Sequence, residues 1–335
     1  MTYNISKNQR DDNLLDRLKQ SDADIQIITN VPSRMETYYN SLAGNNMRSK
    51  ARENIQIYLS KLSPDKYSKK FTPLFNVHNH AKLIGTENVV YIGSANYSNE
   101  SADNIETGVI IDDKKFISEL YRDFFDEIRE KSLSYYEEGF SAFRLFALSL
   151  LAKFDQHHKK FIANLYTNYG QTKYEVSDII FVDSSDLESL SYDLDELRHI
   201  WPAAEDTYDE ENNEYNEALE ELKERFDRLS IDWLQAVIGE DGSLNNLVCF
   251  NQEDEVNKIL QEEFSAEAYE DNLEEYIERS ENIAFDILSS LKDEFSYDAD
   301  SFLLEIEKIL STLSYAVHFT ENWKASKINP EIDNT

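Results

Sequence analysis

The stretch NVHNHAKLIGTENVVYIGSANYSNESADNIETGVII, Asn76 to Ile111, holds five polar side chains whose types and order suit phosphate chemistry: His80, Lys82, Ser94, Asn96 and Glu106. Residues two apart on a strand project from one face, so His80 and Lys82 would stand side by side, with His78 on the same side. Breaking a phosphodiester takes a nucleophile, neutralisation of charge on the non-bridging oxygens, and a proton for the leaving oxygen. A neutral imidazole supplies a nucleophile at phosphorus. The Lys82 ammonium supplies fixed charge, and the Ser94 hydroxyl and Asn96 amide supply hydrogen-bond donors. Lysine and imidazole together carry the positive charge such a site needs, so neither a metal ion nor a cofactor is expected.

The letters HNH at 78–80 do not make the metal-dependent nuclease site of that name, which spreads its histidines over a ββα unit with an acidic partner. His80-Ala-Lys82, four residues and Glu87, then Gly93-Ser94-Ala95-Asn96, with Glu106 ten residues beyond Asn96, instead resemble the phospholipase D superfamily. Its signature is His-x-Lys, four residues, Asp, and later Gly-Ser-x-Asn. More narrowly, the chain looks like the single-motif nuclease branch, which includes some restriction endonucleases and shares the GSANYS-like strand end and the later glutamate. The likeness covers about residues 1–135. Two features depart from it: Glu87 stands at the aspartate position, and the gap from there to Gly93 is one residue shorter than usual.

The resemblance implies a mixed sheet flanked by helices and a phosphohistidine formed on His80. Lys82, Ser94 and Asn96 would hold the phosphate. Glu106 would hold the other ring nitrogen of His80, fixing its tautomer, with His78 and Glu87 near the pocket. Attack and leaving-group protonation fall on opposite sides of an in-line displacement, so relatives use two motifs related by a twofold. No second motif is found here. His158-Lys159-Lys160 lies in a helical run with no Gly-Ser-x-Asn after it, and a helix sets positions 158 and 160 about 200° apart. A homodimer with one site built from two copies of His80 and Lys82 is expected.

The elements that must carry this site read as alternating strands and helices over residues 1–135, which favours an α/β layered domain. TYNIS is a short strand candidate, followed by helical DDNLLDRLKQ and the β run DIQIITN. MRSKARENIQIYLSKL shows helical spacing of Ile55, Tyr58, Leu59 and Leu62. TPLFNVHNHAKLIG, NVVYIGS and NIETGVIID are rich in β-branched and aromatic residues. KKFISELYRDFFDEIREK closes the region as a helix facing inward through Phe116, Leu120, Phe124 and Ile128. Gly85, Gly93 and Gly108 mark turns or close backbone approaches, and Gly93 could let a phosphate come near.

Past a join near Ser134–Phe140 the pattern turns helical: about Ala142–Tyr169, Ala218–Ile238, Asp254–Leu260, Ala268–Lys292 and Ser301–Phe319, with DIIFVD as an isolated strand. Charge divides at the same place. Residues 1–140 carry 18 Lys+Arg against 21 Asp+Glu, whereas 141–335 carry 15 against 45. A polyanion would avoid the second part and could still approach the first. The reading is therefore a 1–135 phosphodiesterase domain, an acidic helical domain over 141–325 serving assembly or regulation, and a flexible 326–335 tail. His157, His158, His199 and His318 lie in helical runs without metal-ligand spacing and read as structural or solvated.

The single cysteine, Cys249, cannot form an internal disulfide and reads as a buried thiol in NLVCF. The polar start and the charged Arg144 in the longest apolar run give no secretory leader or membrane span, so a cytoplasmic protein without membrane contact is expected. The functional expectation is a metal-independent nuclease acting on DNA or RNA, with a role in antiviral defence implied by the family resemblance. A regulatory protein could dock on the acidic half. Two alternatives stay open: a lipid phosphodiesterase, and an inactive phosphate-binding or interaction protein.

Overall fold

A computed structural model describes residues 1–5, 13–30, 51–102, 104–137, 141–167, 175–205, 207–208, 212–263 and 266–322. The expected 326–335 tail lies outside the described residues. The chain divides into two compact units. One joins Met1–Ala152 with His199–Lys223 and the stretch from Leu313; the other joins Lys153–Arg198 with Glu224–Thr312. The unit that holds residues 1–135 thus takes in helical segments from later in the chain.

In the first unit, α1 (Asn13–Lys19) leads to β1 (Ile25–Thr29), and α2 (Ala51–Lys61) leads to β2 (Phe71–Phe75). There follow β3 (Leu83–Gly85), β4 (Val90–Gly93), the single turn α3 (Asn99–Ala102) and β5 (Gly108–Ile111). The region closes with α4 (Lys114–Leu120), a π-helical turn over Tyr121–Phe125, α5 (Asp126–Glu130) and β6 (Leu133–Ser134). β1 and β2 run parallel, Ile25 opposite Phe71, and β6 adds antiparallel to β2. β3, β4 and β5 form an antiparallel meander with Leu83 opposite Ile92 and Gly93 opposite Gly108.

The first five residues stitch these two sheets together. Thr2 bridges Thr29 and Ile5 bridges Tyr97, both in parallel, and the Leu83 N–H donates to the Met1 carbonyl at 2.9 Å. Within TYNIS, Thr2 and Ile5 therefore make isolated bridges rather than a strand. Helix α2 buries Ile55, Tyr58 and Leu62 as its spacing predicts, and the Tyr58 hydroxyl accepts from the Ile5 N–H at 3.2 Å. A core of Met1, Ile28, Leu74, Leu83, Val90 and Ile117 lies between the strands and the 114–130 helical segment.

That segment keeps Leu120 and Ile128 inward as expected but turns Phe116 and Phe124 out. Phe116 and Phe124 are exposed, and Ile117, Leu120, Tyr121, Phe125 and Ile128 meet the core. A strict spacing of four drifts about 40° per step on a 3.6-residue helix. The extra residue in the π-turn over Tyr121–Phe125 absorbs that drift and brings Phe125 round.

The helical part contains α6 (Ala142–Leu165), the two-residue strands β7 (Tyr166–Thr167) and β8 (Glu175–Val176), α7 (Ser184–Leu197), α8 (Ile200–Glu205) and α9 (Asn213–Asp227). It continues through α10 (Ile231–Ile238), α11 (Ser243–Cys249), α12 (Gln252–Glu263) and α13 (Ala266–Asn322). Several expectations are corrected. The 218–238 helix breaks at Ser230, whose N–H leaves the helix to donate to the buried Glu305 carboxylate at 2.6 Å. The helices expected at 268–292 and 301–319 are one, because Phe295, Ala299, Phe302 and Ile306 continue the buried stripe through a segment without Gly or Pro.

DIIFVD forms no strand. Ser177 and Phe181 donate their N–H groups to the carbonyls of Leu165 and Asn164 at the end of α6 instead. Cys249 is exposed, because a helix carries it about 200° round from the buried Leu247.

Candidate active site

The turn that presents His80 is built around Asn79, which is buried and works as a small scaffold. Its amide donates to the Thr2 carbonyl at 2.7 Å, and its Oδ1 accepts the Ala81 N–H at 3.1 Å. This capture of backbone groups delays regular pairing, so β3 begins at Leu83 and His80 and Lys82 precede it, contrary to the strand expected there. The alternation of an extended segment still holds. Ala81 and Leu83 turn to the core, and His80 and Lys82 share the other side.

Lys82 Nζ lies 3.2 Å from His80 Nδ1 and 3.3 Å from Nε2, and donates to the His80 carbonyl at 2.8 Å. Near-equal distances to both ring nitrogens mean the ammonium is aligned with neither lone pair; the carbonyl bond is the better formed one. Burial lowers the Lys82 ammonium below the ordinary lysine value, and the negative charge of Glu106 partly offsets this. Lys82 also faces the ring of Tyr3, with Nζ 5.2 Å from its centroid.

Ser94 follows directly on β4, and Gly93 explains how it meets Glu106. Gly93 and Gly108 face each other across β4 and β5, and a Cβ on either would collide with the ring of Tyr91. At Gly93 a Cβ would also meet the Thr107 carbonyl, which cannot give way as a side chain can, so the strand end closes on glycine there, and Tyr91 occupies the space over Gly93 that the sequence suggested for a phosphate. Ser94 N–H donates to the Thr107 carbonyl at 2.8 Å, Thr107 N–H donates to Ser94 Oγ at 3.0 Å, and Ser94 Oγ donates to the Glu106 carboxylate. The bond described for Glu106 is thus to Ser94. Asn96 Oδ1 accepts the Tyr3 N–H at 3.2 Å, which leaves Nδ2 as the donor end of that amide.

The structure brings His80, Lys82, Ser94, Asn96 and Glu106 to one end of the β3–β5 meander. It does not bring in Glu87, which sits in the turn joining β3 to β4 at the other end, bonded by its neighbour Asn88 at 3.1 Å. His78 is exposed in the turn before His80 and its N–H donates to Asn76 Oδ1, so it does not share a strand face with His80. Sequence reasoning missed Tyr3 and Asn79. Asn79 had one legible sign, an amide two residues before a core-facing Ala81; Tyr3 had none beyond membership of TYNIS.

The rejected second motif is accounted for by pairing. His158 Nε2 lies 3.4 Å from Glu307, Lys159 binds Asp155, and Lys160 binds Asp186. Among the described residues no group of three or more His, Cys, Asp or Glu is arranged to hold a metal ion, and no helix is long and apolar enough to cross a membrane.

Residues 1–128 match the family model described as cardiolipin synthase, PLD-like domain. This part of the chain is a phospholipase D-superfamily domain, of the phosphodiesterase type. No curated protein and no solved structure matches the chain.

Proposed function

We propose that this chain is a metal-independent nuclease that cleaves DNA or RNA through a phosphohistidine on His80. The observation that carries the reading is the convergence of an imidazole, an ammonium and two hydrogen-bond donors at one strand end of a phospholipase D-like domain. A ring nitrogen of His80 attacks phosphorus, the N–P bond forms, and the P–O bond to the leaving strand breaks. That oxygen takes its proton from the imidazolium of His80 in a second protomer. Water then adds at phosphorus and gives its proton to the now neutral His80 of the second protomer, the N–P bond breaks, and both histidines return to their starting states. Lys82 neutralises charge gathering on the equatorial oxygens, Asn96 donates to them through Nδ2, and Ser94 joins by turning its proton from Glu106; Glu106 also acts on the Lys82 charge.

The near-neutral charge of residues 1–140 supports nucleic acid approaching that region, and the acidic remainder supports a role in restraint or in binding a basic regulator. Cytoplasmic antiviral defence is the setting that the family resemblance favours. A second reading, lipid phosphodiesterase chemistry, is favoured by the family model's own description.

The test is cleavage of labelled DNA, labelled RNA and phospholipid vesicles in excess EDTA, with wild type and His80→Ala. Nucleic acid cleavage that survives EDTA and disappears in the variant is the expected result. Vesicle hydrolysis alone would move the reading to lipids. Cleavage abolished by EDTA would overturn the mechanism, and no activity on any substrate would favour a phosphate-binding protein.

A further inference from the structure

We propose that Tyr3 is a positioning residue of this site, its ring setting His80 and Lys82 and its backbone N–H setting Asn96. The proposal deepens the phosphodiesterase reading and rests on it for its kinetic consequences. Three separate contacts converge on the one residue. The Tyr3 ring centroid lies 4.6 Å from that of His80 at an interplanar angle of 59°. The Lys82 ammonium sits 5.2 Å from the same centroid, within reach of the ring's negative face. The Tyr3 N–H donates to Asn96 Oδ1 at 3.2 Å, which orients that amide.

Tyr3 can do this because both its flanks are anchored. Thr2 is buried: its N–H donates to Ile28 O at 2.9 Å, its carbonyl accepts from Asn79, and its hydroxyl oxygen accepts the Tyr97 N–H at 2.8 Å. On the other side Ile5 is buried and bonded through both its N–H and its carbonyl to the Tyr58 hydroxyl. Asn79 and Tyr97 lie one residue from His80 and Asn96 respectively, so the bonds that fix Thr2 also tie the N-terminal segment to both halves of the motif. The ring is thereby held where a flexible lysine would otherwise wander. A lysine at the end of a four-carbon stem has much rotamer freedom to lose, and a ring that restricts it keeps the ammonium in the geometry the reacting phosphate needs.

The chemistry of the ring, not its hydroxyl, carries the role. Tyr3→Phe keeps the face against His80 and Lys82, Tyr3→Leu keeps apolar volume without the π face, and Tyr3→Ala removes both.

The experiment measures kcat and KM of the full chain on a nitrophenyl ester of thymidine phosphate in EDTA, with melting curves, and follows the His80 ring resonance against pH by NMR. Tyr3→Phe is expected within about twofold of wild type. Tyr3→Leu and Tyr3→Ala are expected to lose about 10- to 100-fold in kcat with KM little changed, the size of a misplacement near 1 Å. In Tyr3→Ala the Lys82 ammonium keeps its bond to the His80 carbonyl but loses the ring face that holds it over the imidazole, so the His80 titration is expected to move to higher pH as the ammonium swings away from the ring nitrogens.

Wild-type kcat in Tyr3→Ala, or Tyr3→Phe as poor as Tyr3→Ala, would overturn the proposal. So would a loss that follows the unfolded fraction alone. If wild type itself cleaves nothing, the phosphodiesterase reading fails separately, and the NMR titration still decides: an unmoved His80 in Tyr3→Ala overturns the placement of Lys82 by Tyr3, and an upward shift supports it.

Discussion

Among the described residues a histidine, a lysine and a carboxylate meet once in each compact unit, with opposite outcomes. At the end of the β3–β5 meander, His80, Lys82 and Glu106 are gathered at the surface, and the lysine is held by a carbonyl and an aromatic face. In the helical unit, Asp193 takes Lys153 at 2.5 Å on one oxygen and His157 at 2.8 Å on the other, with Asp193 almost wholly buried. Phe154 and Phe161 lie against His157. Burial by itself would raise the Asp193 carboxyl; Lys153 and His157 outweigh it and hold the group below the ordinary carboxylate value. The inner trio is paired within itself. The outer trio keeps its cation and imidazole where an anion from solution can reach them. Residue type does not distinguish a structural network from a reactive site; pairing and access do.

Substitutions at the two trios should separate along that line. His80→Ala has the largest expected effect, a fall in cleavage of at least about 10⁴-fold, as for loss of a nucleophile. Its stability should stay within about 0.5 kcal/mol of wild type because the residue is exposed. Assays on the purified variant beside a denaturant melt would show both.

Asp193→Ala should do the reverse, costing about 3–5 kcal/mol of stability by leaving the Lys153 ammonium and the buried His157 ring without their partner, with kcat per folded molecule unchanged. The folded carboxyl is depressed, so its contribution is complete above the ordinary value of 3.8 and is lost as pH falls through the folded value. Melts of wild type and variant should therefore converge in acid.

Ser94→Ala should reduce kcat about 100-fold, the scale for one donor to a developing oxyanion, with no comparable change in melting. Glu106→Gln is the mildest. Glu106 raises the Lys82 ammonium against burial, so its neutralisation should move the alkaline limb of the pH–rate profile to lower pH while the acid limb moves less. An alkaline limb that moved upward would show that Glu106 does not support the Lys82 charge.

The five motif positions were legible in sequence because their order is carried by short local spacings, and the structure brings all five to one place. Glu87 was misplaced by the same logic. Spacing assigned it to the motif, but the β3–β4 turn carries it to the far end of the strands. Tyr3 was invisible because its place depends on pairings about eighty to ninety residues distant, with Leu83 through Met1 and with Asn96 directly.

In the helices, 3.6-residue periodicity marked the elements and misplaced their ends. The Ser230 break follows from Glu305, 75 residues away. The inward face of the 114–130 segment depends on a π-turn that periodicity alone does not specify. At His157 the helical run without ligand spacing reads as structural or solvated, and its acid lies 36 residues on, so only the fold reveals the network.

The most direct measurement is capture of the covalent intermediate. Wild type, His80→Ala and Asp193→Asn would each be mixed with end-labelled DNA or RNA in EDTA, quenched within the first turnover and separated under denaturing conditions at alkaline pH. Labelled nucleic acid is expected on wild type and on folded Asp193→Asn, released by acid, and none on His80→Ala. Label retained on His80→Ala, or an adduct lost only in Asp193→Asn, would contradict that expectation and move the reactive histidine out of the N-terminal site.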